Sequence, residues 1–213
     1  MSVFLPDSGT LLAYTIACLI LFATPGPDMS LFLSQTIVGG RRAGLAAMAG
    51  AMTGCCVHSL VAALGLSALI AASATAFSVL KVVGALYLLW LAIDAVRRGS
   101  ALSLSGGRPA PSLKRTFLLG LGINLTNPKV VLFFVTFLPQ FVSAHDAHAA
   151  GKLLVLGLYF VLVSLPLAIM MVLLAERLIG ALTRRPRIMR LLDYAFAGIF
   201  ALFALRIAAL PSR

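Results

Sequence analysis

Residues 23–32, ATPGPDMSLF, place two prolines, a glycine and an aspartate inside a segment that is otherwise apolar. Proline lacks a backbone N–H and clashes with the carbonyl four residues earlier, so Pro25 and Pro27 predict a break in a helix. A second break is predicted at Pro128, within NPKVVLF at 127–133. Non-helical backbone is tolerated at membrane depth only where it lines a cavity or is buried in protein. The two breaks are therefore the first places to look for a functional site.

The composition indicates a membrane protein. Of the 213 residues, 61% are hydrophobic and 11% are charged, and the mean hydropathy is +1.06. Soluble domains average about 45–50% apolar and about 25% charged residues. The net charge of +11 comes from basic residues in short clusters between apolar runs, which favours membrane orientation over a nucleic-acid-binding face.

The chain predicts an all-α integral membrane protein with six transmembrane helices, because each span needs about 20 mostly apolar residues. The predicted spans are 11–37, 44–70, 76–96, 116–142, 153–175 and 190–209. The stretch 99–112, GSALSLSGGRPAPS, is rich in Gly, Ser and Pro and predicts a flexible loop. This loop divides one membrane domain, 1–213, into halves 1–98 and 113–213 of three spans each.

Basic residues lie in alternate loops. Arg41 and Arg42 lie between the first two spans, and further basic clusters lie between the third and fourth and beside the fifth and sixth. The loops at 71–75 and 143–151 have no Lys or Arg. By the positive-inside rule, the basic loops face the cytoplasm and both termini face the outer, periplasmic side.

Three spans per half make the halves inverted repeats, with the first and fourth helices broken at proline. Aligning Pro27 with Pro128 matches PDMSLF to PKVVLF at Pro, Leu and Phe. Pro27 lies 14 residues from Arg41, and Asn127 lies 12 residues from Arg115. At about 1.5 Å per residue, both breaks lie near the middle of a bilayer core about 30 Å thick. Matching interruptions at that depth predict a transport site.

Several motifs resemble those of a known family. The segments are TPGPD at 24–28, KVVGALYLLWL at 81–91, NPKVVLFFVTFLPQF at 127–141, and the series Gly44, Gly50, Gly54, His58 and Gly65. Together they resemble the lysine exporter (LysE) superfamily, nearest its homoserine/threonine exporter (RhtB-type) branch. The resemblance covers nearly the whole chain and is strongest in the first four spans.

The resemblance implies a homodimeric exporter of amino acids or close derivatives in the bacterial inner membrane, driven by the proton motive force. It implies neither an enzyme nor a cofactor. Neutral substrates such as threonine, homoserine or leucine are favoured, with basic amino acids as the alternative. Many members have Asn after TPGP, where this chain has Asp28. A carboxylate can carry a proton and an amide cannot, so this departure bears on substrate and coupling.

An amino acid is a zwitterion, so its site needs partners for a carboxylate and an ammonium. Half-helix N-termini suit the carboxylate, and carbonyls freed by proline, or an acid, suit the ammonium. Asn127 can cap a half-helix that has Pro128 at its first position. The candidate substrate-binding residues are Thr24, Pro25, Gly26, Pro27, Asp28, Asn124, Asn127, Pro128 and Lys129.

Asp28 and Lys129 occupy matching repeat positions with opposite charges. An acid early in a helix suits the helix dipole, so Asp28 is either a helix-start residue or a group that binds ammonium or carries a proton. A cation there is unfavourable, so Lys129 either binds the substrate carboxylate or pairs with an acid elsewhere. We expect the two to pair in the empty transporter and to separate when substrate binds.

His58 lies in a stripe of residues with four-residue spacing, Ala46, Gly50, Gly54, His58 and Ala62. Small residues at this spacing let membrane helices approach closely. His58 is either a proton relay or a core histidine bonded to a neighbouring backbone. Asp28 and His58 are thus the two candidates for proton coupling.

Other classes of protein fit less well. An ion or metal exporter would need several carboxylates, histidines or thiols to converge, whereas Asp28 is the one acid near mid-membrane, so no metal site is predicted. A membrane electron carrier would need Cys18 to approach Cys55 or Cys56. An intramembrane hydrolase is not indicated, since neither GxSxG nor HExxH occurs.

Overall fold

The computed structural model describes residues 6–73, 112–143 and 146–175, together with isolated positions between 75 and 97 and between 177 and 202. These residues form helices, and none of them lies in a strand. The α-helices are α1 (Ser8–Ala23), α2 (Pro27–Val61), α3 (Ser67–Ala72), α4 (Leu113–Thr126), α5 (Pro128–Leu132) and α6 (Ala149–Leu173). Shorter helical turns are Ala62–Leu66 and Phe133–Phe137, both of π type, and Leu138–Phe141, of 3₁₀ type.

The first break, residues 24–26, separates α1 from α2. Thr24 and Gly26 both have extended backbone, and Pro27 then starts α2. Proline suits the first turn of a helix because its missing N–H would have no partner there. The break predicted at this proline is confirmed.

The second break, Asn127, separates α4 from α5. Asn127 has extended backbone, and its side-chain oxygen accepts a hydrogen bond from the backbone N–H of Lys129 at 3.1 Å. Pro128 follows as the first helical residue, so both the predicted cap and the predicted break are confirmed. The helices on the two sides, Leu113–Thr126 and Pro128–Phe141, are bent by 52°.

A turn inside α2 separates the first and second predicted spans. Gly40 has φ 73° and ψ 180°, so α2 consists of two helices joined at this residue. Glycine reaches positive φ without the steric penalty of a Cβ. Arg41 and Arg42 follow at once, which places this turn in the loop that the charge pattern assigns to the cytoplasm.

Two described helical segments are long and apolar enough to cross a membrane. One is the continuous run Pro27–Leu69, which comprises α2, the π turn and the start of α3, and the other is α6, Ala149–Leu173. The bent pair of α4 and Pro128–Phe141 makes a third span if it is counted as one, and α1 is a shorter apolar helix. The predicted third and sixth spans and the loop 99–112 lie mostly outside the described residues. The described part of the chain is thus all helical, with the apolar spans of a membrane protein, and the six-span inverted repeat stays a prediction.

Close contact between α2 and α4 holds the two halves together. A Cβ added at Gly50 would collide with the carbonyl of Phe117, and one at Gly120 would collide with the carbonyl of Ala47. Glycines on both helices therefore let the backbones touch, as small residues do in membranes. The packing role predicted for the glycines of the α2 stripe is confirmed.

A cluster of aromatic residues joins α1 to α6 and to the bent segment. Tyr14 is fully buried, and its hydroxyl donates to the carbonyl of Leu156 at 2.9 Å. Its ring contacts Phe133 and Phe141, and Phe133 also contacts Phe160. This cluster fixes the end of the second broken helix against α1, so both breaks are anchored to the same core.

Candidate functional site

A small cavity lies where the two breaks meet. Its volume is about 30 Å³, which holds water but not an amino acid. The polar side chains on its wall are those of Thr24, Asp28, Cys55, Asn124 and Lys129. Its apolar lining residues are Leu21, Phe22, Met29, Phe32, Met52, Val130 and Phe160. The cavity thus combines opposite charges with an apolar wall, in a closed conformation.

Lys129 reaches from the start of α5 to the end of α1. Its ammonium Nζ donates to the carbonyl of Thr24 at 2.7 Å and to that of Leu21 at 3.1 Å. The last carbonyls of a helix lack partners within the helix, and the helix dipole favours a cation there. The dipole of α5 disfavours a cation at this position, because Lys129 lies in the first turn of that helix. The dipole of α1 favours the same cation at its C-terminal end, which accounts for a lysine at this position.

Asp28 reaches in the opposite sense, from the start of α2 to the end of α4. Its Oδ2 accepts a hydrogen bond from the side-chain amide of Asn124 at 2.9 Å. Its Oδ1 is buried and makes no hydrogen bond of ordinary geometry among the described residues, although the side-chain amide of Asn127 lies near enough to act on the carboxylate. Lys129 lies close enough for its charge to act on Asp28. One carboxylate oxygen is therefore available to a donor that enters the cavity.

Asn124 also contacts two further polar residues of α2. Its backbone carbonyl lies 3.4 Å from Nε2 of His58, and its side-chain oxygen accepts from the thiol of Cys55 at 3.7 Å. The His58 ring also stacks on Phe134, with centroids 5.5 Å apart. His58 thus has the backbone partner expected of a core histidine, and a single residue separates it from Asp28.

The structure divides the predicted substrate-binding residues into two groups. Thr24, Asp28, Asn124 and Lys129 line the cavity together. The other five lie around it without lining it: Pro25, Gly26, Pro27, Asn127 and Pro128.

Each residue of the second group shapes the breaks. Pro27 and Pro128 are exposed and do not line the cavity. Asn127 is buried, and its side-chain nitrogen has no hydrogen-bond partner in the described part of the chain. Gly26 lies under Lys129, since a Cβ there would be 3.1 Å from Nζ. The prolines therefore set the backbone path, and their neighbours supply the polar groups.

Sequence reasoning did not identify Leu21 or the apolar wall. Leu21 contributes only its backbone carbonyl, which every residue carries. The one sequence feature that could have identified Leu21 is its position in the last helical turn before a break. Phe32 lies one helical turn after Asp28, on the same face of α2. That spacing is the signal that assigns Phe32 to the cavity wall.

The sequence left open a redox role for the cysteines and a metal role for clustered acids, histidines and thiols. Cys18, Cys55 and Cys56 are free thiols, of which the first two are buried. In the parts of the chain that the structure describes, no three His, Cys, Asp or Glu side chains are grouped to hold a metal ion.

Two broken apolar helices that enclose a buried polar cavity are typical of a membrane transport protein. The family model of the LysE type translocator matches residues 19–210. The chain therefore belongs to the LysE type translocator family, as its motifs indicated.

Named relatives cover nearly the whole chain. A homoserine/homoserine lactone efflux protein of Salmonella typhimurium is 32% identical over 92% of this chain and 95% of its own length. A leucine efflux protein of an Enterobacter species is 29% identical over 92% of this chain and 94% of its own length. An uncharacterized membrane protein of Vibrio cholerae is 32% identical over 89% of this chain and 91% of its own. No solved structure matches the chain.

Proposed function

We propose that this protein exports small amino acids or close derivatives from the cytoplasm across the bacterial inner membrane, driven by protons. The observation that carries the proposal is the cavity between the two breaks, where a cation, an acid and freed backbone carbonyls surround one space. These groups match both charges of a zwitterion. The efflux functions in the names of the similar proteins support the same class of substrate.

In this proposal the ammonium of the substrate binds Oδ1 of Asp28 and the carbonyls at the end of α1. The carboxylate binds Lys129. The side chain lies against Met29, Phe32 and the other apolar residues of the wall. An apolar wall favours a neutral side chain, so threonine, homoserine and leucine are the first candidates and basic amino acids are the second.

A larger cavity of about 720 Å³ supplies the approach from the cytoplasm. It lies beside the turn at Gly40, and Thr36, Arg41 and Arg177 are among its lining residues. Guanidinium groups attract carboxylates. Thr36 lies two helical turns after Asp28 on the same face of α2, with buried Phe32 between them. We propose that Phe32 is the barrier between the two cavities in this closed conformation.

Proton coupling is assigned to Asp28 and His58. Protonation of Asp28 removes the negative charge that holds the substrate ammonium, so a proton arriving from outside promotes release there. His58 and Asp28 contact the same residue, Asn124, the first at its backbone carbonyl and the second at its side-chain amide, and this proximity supports His58 as the second group that exchanges the proton. The proposed cycle exchanges one bound amino acid for protons at the same acid.

Everted membrane vesicles from cells that express the protein test this proposal. Radiolabelled threonine, homoserine, leucine and lysine are offered with and without an imposed pH gradient. We expect gradient-dependent uptake of at least one neutral amino acid, above that of vesicles without the protein. Uptake of none of them by correctly inserted protein contradicts the substrate class, and uptake that ignores the gradient contradicts proton coupling.

Two variants test the assignment of the site. Asp28→Asn and Lys129→Met each remove one charge of the cavity, and we expect both to lower uptake strongly. Lys114→Met is the matched control, since Lys114 is an exposed lysine near the start of α4. Near-normal uptake by both cavity variants places the substrate site elsewhere.

A further inference from the structure

The contacts of Lys129 define a site for an ammonium group. The two carbonyls of Leu21 and Thr24 accept from Nζ, and the missing side chain of Gly26 leaves room beside it. The buried, unpartnered Oδ1 of Asp28 lies on the same cavity. A primary ammonium has three N–H donors and no acceptor, so carbonyl and carboxylate oxygens are the partners it needs.

We propose that Lys129 is a tethered occupant of the subsite that holds the ammonium of the substrate. This inference rests on the proposed function. In the closed, empty protein the lysine ammonium takes the place that the substrate ammonium takes later. Substrate then binds by exchange, because its carboxylate becomes the new partner of Lys129 and its ammonium takes over the carbonyls of Leu21 and Thr24.

The exchange keeps the buried carbonyls satisfied in both states. A carbonyl left unpaired at this depth would destabilise the break, since no bulk water reaches the bilayer core. The exchange also explains the small volume of the cavity, because the lysine side chain fills the space. The exchange requires a ligand that carries both charges, because an amine without a carboxylate provides no new partner for the ammonium of Lys129.

Chemical rescue of Lys129→Ala tests the subsite directly. The substitution removes three methylene groups and the ammonium, which n-propylammonium replaces. We expect millimolar n-propylammonium to raise the thermal unfolding midpoint of the purified variant in nanodiscs by several degrees. Neutral n-propylamine, which is in equilibrium with the ammonium form, crosses the apolar surroundings and is protonated again in the site. Tetramethylammonium, which carries the charge without an N–H donor, should have no such effect.

The wild-type protein is the control for this experiment, because its subsite is already filled and n-propylammonium should leave its unfolding midpoint unchanged. Should Lys129→Ala aggregate, the same amines are added during extraction and the monodisperse fraction is measured. A variant that n-propylammonium does not rescue by either measurement overturns the inference, as does equal stabilisation of variant and wild type. The measurement needs no transport, so its failure leaves the export proposal standing. A failed uptake assay removes the substrate from this inference but leaves the binding of an ammonium group at these carbonyls in place.

Discussion

The two breaks share one backbone design but carry opposite charges. Each ends a helix, passes through extended residues and restarts at a proline, with the charged residue directly after it. At the first break Asp28 meets the side chain of Asn124, whereas at the second Lys129 meets two backbone carbonyls. The backbone can supply carbonyls to a cation at any helix C-terminus, but an acid that faces a helix C-terminus needs a side-chain donor.

The largest effect is expected when the second break loses its charge. Lys129→Ala leaves the carbonyls of Leu21 and Thr24 without their donor, which should lower the free energy of unfolding by about 2–6 kcal/mol, at about 1–3 kcal/mol for each unsatisfied buried group. Thermal or denaturant unfolding in nanodiscs measures this change. The same substitution at exposed Lys114 is the control, and equal losses for the two variants would show that the contacts across the breaks contribute nothing.

Asp28→Asn should separate function from stability at the first break. The new amide oxygen still accepts from Asn124, so the fold should hold. The substrate ammonium loses a charge-assisted bond worth about 1.5–3 kcal/mol, which predicts roughly 10- to 100-fold lower apparent affinity. Uptake measured against substrate concentration, at two values of the pH gradient, checks both affinity and coupling. Unchanged affinity together with intact proton dependence would remove Asp28 from the site.

Much of this comparison could be predicted from the sequence. Proline imposes its own backbone geometry, so both breaks, the Asn127 cap and the matched charges were identified from residue type and spacing. The hydrogen-bond partners of Lys129 could not be predicted from the sequence. They are backbone carbonyls, which every residue carries, so residue type does not mark them. The outward direction of Pro27 and Pro128 was also out of reach, since it depends on how the helices pack.

Gly54→Ala should weaken the first break through Asn124. A Cβ at Gly54 would collide with the Asn124 side chain. Overpacking of this kind costs about 1–3 kcal/mol, so a smaller loss of stability and of substrate affinity is expected. Gly122→Ala is the control, because a Cβ at Gly122 would meet nothing within 4 Å. Loss from the control but not from Gly54→Ala would contradict the role of Asn124.

The smallest effect is expected at the start of α6, where Lys152 pairs with Asp146 of the preceding loop. The hydrogen bond from Lys152 lowers the pKa of Asp146 below its ordinary value of 3.8. A lowered pKa in the folded state stabilises the protein above the unfolded pKa, and that contribution disappears only as pH falls through the folded pKa. Asp146 therefore stays charged between about pH 5 and pH 8, because that whole range lies above its pKa.

Asp146→Asn should thus leave the pH profile of uptake between pH 5 and pH 8 unchanged and lower stability by at most about 1 kcal/mol, as for other surface pairs. Asp28→Asn should flatten the same profile, because its acid is the proposed proton carrier. Uptake by both variants across this pH range makes the comparison. A profile that shifts with Asp146→Asn and not with Asp28→Asn would place proton sensing in the loop before α6, and the charge difference between the two breaks would then serve binding alone.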